Sequence, residues 1–144
     1  MNDRILNREE IIRKLQAFFR DLPEVRFAYL FGSLSSQTHN DLSDVDVAVF
    51  VDSATLDKDN YYYGYKATLL ADIMQLLKEN RVDLVILNQA TPLLSFHVVR
   101  YGMPIYEADR LSRIQFQAKA FSRYFDLLPM FQLQQARRIF PVHL

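Results

Sequence analysis

The chain has 144 residues, half of them hydrophobic and 24% charged, with 17 Lys and Arg set against 17 Asp and Glu and no cysteine. These proportions describe a globular chain with a real core, not a disordered one. They exclude disulfides, thiolate metal sites and cysteine nucleophiles, and zero net charge argues against direct nucleic-acid binding through phosphates. The opening MNDRILNREE lacks the apolar segment of a signal peptide, and no apolar run reaches membrane-spanning length. The expectation is a soluble cytoplasmic protein, a single domain over 1–144.

In chain order, Asn7 and Glu10 have the spacing of a capping box, and Ile11, Ile12, Leu15, Phe18, Phe19 and Leu22 form one helical face before Pro23. RFAYLF, from Arg26 to Phe31, reads as a strand feeding a turn at Gly32. The polar run Leu34–Ser43 is a loop or one short helix, and Asp44–Val51 is the second strand. The polar stretch 52–60 is a surface connection, followed by a helix over 61–80 in which Asn80 suits the left-handed C-terminal position. RVDLVILN, from Arg81 to Asn88, is the third strand. A helix opens at Pro92 and stops at Gly102, Met103–Glu107 is a short extended piece, and a long helical segment over 109–140 carries a breaking signal at Pro129. The fold class is a small α/β (α+β) domain whose mixed sheet has three main strands, with helices on one face and a long C-terminal helix.

The chemistry concentrates in FGSLSSQTHNDLSDVDVAVFV, from Phe31 to Val51. Gly32-Ser33 is followed after ten residues by Asp44-Val45-Asp46. Strand residues two apart share a face, so Asp44 and Asp46 project together while Val45, Val47 and Val49 enter a core. Carboxylates held that close raise each other's pKa unless a cation lies between them, and a hard divalent ion prefers carboxylate oxygen. Asp83, the one acid on the third strand, joins them if strands two and three are neighbours. Three carboxylates around one point suit one or two Mg²⁺ ions acting on phosphate. Gly32 lets the backbone approach a phosphate and Ser33 offers a hydroxyl and an amide. Asp83 is also placed to take a proton from an attacking hydroxyl.

These residues resemble the signature of the nucleotidyltransferase superfamily typified by DNA polymerase β, and the spacing resembles its minimal nucleotidyltransferases. YLFGS at Tyr29–Ser33, VDLVILN at Val82–Asn88, RYGMPIYEAD at Arg100–Asp109 and the Tyr124–Leu127 segment are similar to the MntA antitoxins. Leu34, Ser36 and Gln37 depart from the family, many of whose members carry Arg and Gly in the spacer. The resemblance implies a polymerase β-like minimal nucleotidyltransferase fold and Mg²⁺-dependent transfer of AMP from ATP to a tyrosine hydroxyl of a HEPN ribonuclease toxin. It implies that Gly32 and Ser33 hold the triphosphate, that Asp44 and Asp46 carry metal, and that Asp83 shares the metal or acts as base. Two other readings are a non-catalytic antitoxin that masks its toxin by contact, and a nucleotidyltransferase acting on a small molecule or RNA.

Other features read as structural. Tyr61, Tyr62, Tyr63 and Tyr65 suit packing and anchoring, Lys66 suits solvent, and His39, His97 and His143 lack partners at metal-ligand spacing. Leu111, Ile114, Ala118, Phe121, Phe125 and Leu128 repeat at threes and fours, the pattern of a seam that docks on the sheet. Phe116, Tyr124, Leu127, Met130, Phe131 and Leu133 lie off that seam and predict contact with a partner or a second copy.

Overall fold

The computed structural model describes residues 7–32, 44–56 and 61–139. Helix α1 (Arg8–Arg20) leads into strand β1 (Val25–Phe31) and then β2 (Val45–Val51). A one-turn helix α2 (Ser53–Leu56) and helix α3 (Tyr61–Leu77) follow, then β3 (Val82–Ile86) and a 3-10 turn at Leu87–Gln89. Helix α4 (Pro92–Tyr101), strand β4 (Met103–Glu107) and helix α5 (Arg110–Ile139) complete the described chain.

Local chemistry explains most boundaries. Asn7 caps α1, its side chain accepting from the Glu10 amide at 2.8 Å, which satisfies a donor that the first turn leaves free. Thr91 does the same for α4 through the Leu94 amide, with Pro92 in the first turn. Helix α3 ends earlier than its pattern suggests, because Lys78 takes the left-handed conformation at φ 52° that was expected of Asn80. Pro129 does not break α5, which continues through it to Ile139.

The sheet has four strands in the order β3-β2-β1-β4, so the short piece 103–107 is an edge strand and not an appendage. Strand β1 is antiparallel to both neighbours, whereas β2 and β3 are parallel. Parallel neighbours need a crossover, which α3 supplies. Beyond Ile86 the pairing is prolonged by a side chain. Asn88 accepts from the Val51 amide at 3.0 Å and donates to the Val51 carbonyl at 2.7 Å.

Helices cover both faces of the sheet, not one. Ile11, Leu15 and Phe19 of α1 and Leu69, Ile73 and Leu77 of α3 pack with Val45, Val47 and Val49 on the first face. Phe27, Tyr29 and Ala48 look the other way, onto Val98 and Val99 of α4 and Ala120 of α5. Strand β1 is buried on both sides, and residues of both parities must therefore be apolar.

Helix α5 also sits differently from the expectation. Its inward side is formed by Phe116, Ala120 and Phe121, and farther along Tyr124 stacks on Phe96 at a centroid distance of 3.7 Å. The regular seam is split: Phe121 packs inward, whereas Leu111 is 62% exposed, Ile114 45% and Phe125 58%. Phe116 packs over the sheet on Phe27 and Phe50, and Tyr124 on α4.

The Asn88 bridge makes a stability prediction. Asn88→Ala leaves the Val51 amide and carbonyl without their side-chain partners and should cost about 1–3 kcal/mol, read as a lower denaturant midpoint in chemical unfolding.

Candidate active site

The two parallel strands fix the site. In the β2–β3 register Asp46 lies directly opposite Asp83, and in the β1–β2 register it lies opposite Phe31. Asp46 is therefore flanked by an aromatic ring on one side and a carboxylate on the other. Asp44, one residue before β2, is exposed, Asp83 is exposed, and Asp46 is half-buried. The Val45 amide donates to the Arg81 carbonyl at 2.8 Å, which locks the starts of both strands together.

The electrostatics follow from that placement. Burial pushes the Asp46 carboxyl up to about 6, with the nearby negative charges of Asp83 and Asp44 and a hydrogen bond with the Asp83 side chain adding to the shift. As pH rises through that value the ionised Asp46 carboxylate faces its acidic neighbours, a repulsion that a cation would relieve. Among the described residues no three acid, histidine or cysteine side chains stand close enough together to enclose an ion as they are. The built part of the site is thus the Asp46–Asp83 pair, with Asp44 beside it. Its donors are all carboxylate oxygens, and their mutual repulsion is relieved by a positive ion, so the residues fit a hard divalent cation such as Mg²⁺.

Gly32 follows β1 at φ +72°, in the left-handed region, and a Cβ there would overlap Asp46 Oδ2. Glycine is thus required twice at this position, by the backbone turn and by the space the Asp46 carboxylate occupies. The sequence offered only the first reason, together with phosphate approach; the second depends on the β1–β2 register. Phe31 is a site residue that sequence reasoning passed over, although its place immediately before Gly32 was a signal. Ser33 and the spacer residues Leu34, Ser36, Gln37 and His39 lie outside the described residues.

Of the tyrosines expected to pack, Tyr65 does so and Tyr63 does not. Tyr65 is buried and its hydroxyl donates to Glu24 at 3.2 Å, while Tyr63 is exposed. His97 is exposed on α4.

The raised Asp46 pKa gives a pH prediction for the metal-free protein. A carboxyl with a folded-state value above its unfolded value stabilises the fold at low pH, and that contribution is lost as pH rises through the folded value. In EDTA, stability should fall between about pH 4 and pH 6 by about 1–3 kcal/mol. Asp46→Asn should flatten this part of the pH profile of the denaturation midpoint and raise stability at pH 7.5.

Comparison with known proteins agrees with this geometry. The polymerase beta nucleotidyltransferase family model matches residues 13–111. The protein adenylyltransferase MntA of Shewanella oneidensis is 33% identical over 119 residues, spanning 83% of this chain and 78% of that protein. A crystal structure of a toxin–antitoxin with AMP-PNP aligns at a TM-score of 0.74 and 27% identity, covering 89% of this chain and 98% of the other. A tri-AMPylated Shewanella oneidensis HEPN toxin in complex with MNT antitoxin aligns at 0.70 and 25% identity, covering 92% and 98%. No described helix is long and apolar enough to cross a membrane. With β2 and β3 holding Asp46 against Asp83 beneath a left-handed glycine, and with that likeness along most of its length, the chain belongs to the polymerase β nucleotidyltransferase family and, within it, to the MntA protein adenylyltransferases.

Proposed function

We propose that this chain is an antitoxin that transfers AMP from ATP to a tyrosine hydroxyl of a HEPN ribonuclease toxin, with Mg²⁺ as cofactor. The observation that carries the reading is the Asp46–Asp83 pair under Gly32, in a chain of the adenylyltransferase family. Asp44 and Asp46, with Asp83 sharing, would hold one or two divalent cations, which when bound offset phosphate charge and favour in-line displacement at phosphorus. Gly32 presents backbone without a side chain to the triphosphate, and Ser33 would supply a hydroxyl and an amide beside it. Where it is not taken up by the metal, the exposed Asp83 carboxylate would accept the proton of the attacking tyrosine hydroxyl. That oxygen bonds to the α-phosphorus as the bond to the pyrophosphate oxygen breaks, and pyrophosphate leaves with its electron pair.

A protein substrate suits the shape of the chain. The toxin would dock along the outward side of α5, where Leu111, Ile114 and Phe125 lie exposed on one face. Clustered exposed apolar side chains of this kind mark interfaces more often than solvent-facing helix.

Intact-mass analysis of the toxin after incubation with this protein, ATP and Mg²⁺ should show added AMP, and Asp44→Ala with Asp46→Ala should abolish it. Full neutralisation by that double variant with no mass change would assign the antitoxin effect to masking by contact. Gly32→Ala, which displaces the Asp46 carboxylate, should slow transfer by about 100-fold or more. Leu111→Glu with Ile114→Glu should leave the melting temperature unchanged and weaken toxin binding by about tenfold or more. Unchanged affinity would remove α5 from the interface.

A further inference from the structure

A cleft of about 270 Å³ opens between α4, the first half of α5 and the C-terminal ends of β2 and β3, with Phe50, Leu87 and Phe116 among its walls. It lies on the same sheet face as Asp46 but at the other end of β2. Phe50 is four residues farther along the strand, about 13 Å away at the strand rise. Gly32 and the three acids do not line it.

The cleft has two kinds of wall. One is aromatic. Phe50 is stacked on Phe27 at 5.0 Å with an interplanar angle of 2°, and Phe116 leans against Phe50 at 5.4 Å and 54°. Both Phe50 and Phe116 are only half-buried, so ring surface remains available in the opening. The other wall is cationic. Lys119 and Arg123, one turn apart on α5, line the cleft, and among the described residues neither has an ion-pair or hydrogen-bond partner. By contrast, Arg26, Arg81 and Arg113 are each paired with a carboxylate.

The remaining polar groups narrow the chemistry. The Asn88 amide is taken up by Val51 and the Ser112 hydroxyl by Asp109, leaving Gln115 and the buried Ser95 beside the two cations. Helix α5 as a whole bears Arg110, Arg113, Lys119, Arg123, Arg137 and Arg138 against Asp126 alone, in a chain of zero net charge. The local field therefore favours an anion. A wholly apolar ligand would leave Lys119 and Arg123 without countercharge, and a bare inorganic anion would leave the rings unused. A flat ring system carrying a phosphate satisfies both walls, because bases stack on aromatic side chains and paired cations grip phosphate oxygens.

We propose that this cleft is a second nucleotide site, separate from the Asp46–Asp83 centre, which takes a base against Phe50 and Phe116 and a phosphate on Lys119 and Arg123. The choice of a nucleotide over other aromatic anions rests on the adenylyltransferase reading; the anionic and aromatic requirements do not.

The test uses AMP as probe on the full chain carrying Asp44→Asn and Asp46→Asn, in EDTA, by equilibrium dialysis with labelled nucleotide. Saturable binding near one AMP per chain is expected. It should weaken by about tenfold or more when Lys119→Gln and Arg123→Gln are added, with thermal unfolding unchanged because both side chains are exposed. Adenosine and inorganic phosphate should each bind at least about tenfold more weakly than AMP. No saturable binding at millimolar AMP, binding indifferent to Lys119 and Arg123, or phosphate binding as tightly as AMP would each overturn the proposal. AMP transfer to the toxin is scored separately on the unmodified chain. Loss of transfer with retained cleft binding sinks the enzymatic reading alone, and retained transfer with no cleft binding sinks this one.

Discussion

The structure depends on one uncomfortable contact, the Asp46 carboxyl held against Asp83 across two parallel strands. Two acids side by side, one of them half-buried next to Phe31, cost the fold stability whenever both are ionised. The arrangement persists because the strands are locked at both ends. At the start, the Val45 amide is bonded to the Arg81 carbonyl; at the finish, Asn88 bridges Val51. Between them the odd-numbered β2 valines are buried among α1 and α3. Core packing thus supplies the stability that the site withdraws, as expected where repulsion is kept for binding a cation.

The same register explains Gly32. In a different pairing of β1 and β2 the residue after Phe31 could carry a side chain, subject only to the turn. In this one the Asp46 oxygen fills the place of a Cβ. Glycine, aromatic and two acids are therefore one unit spread over three strands, and changing the register by a residue would turn Asp46 into the core. Away from this unit, α4 and α5 close the middle of the face on Phe27, Tyr29 and Ala48. The acids stay accessible because they sit at the strand starts, beyond that cover.

Much of this was legible in the sequence. The alternation of Val45, Val47 and Val49 with Asp44 and Asp46 gave the face of each residue, because strand geometry leaves no other choice. The capping pair at Asn7 and Glu10 placed α1. The second covered face was missed although RFAYLF is apolar at both parities, the mark of a strand buried on both sides. The orientation of α5 was less accessible. The helix has two apolar faces, and of the regular seam Phe121 turned inward while Leu111, Ile114 and Phe125 stayed exposed. What decided it was the match of Phe116 to Phe50 and of Tyr124 to Phe96, contacts between segments distant in sequence. Lys78 in place of Asn80 at the end of α3 likewise reflects where the crossover must turn toward β3, which residue preference alone does not fix.

The central claim is that Asp46 and Asp83 form a pair that calls for a cation, and the titration of the Asp46 carboxyl, followed by ¹³C NMR with and without Mg²⁺, tests it most directly. Without the ion the carboxyl should titrate near the value of about 6 that its surroundings impose. With Mg²⁺ its midpoint should fall to the ordinary carboxylate range or below, since an adjacent positive charge favours the ionised form. A midpoint that is ordinary from the start, or one that stays high and unmoved by Mg²⁺, would contradict the account.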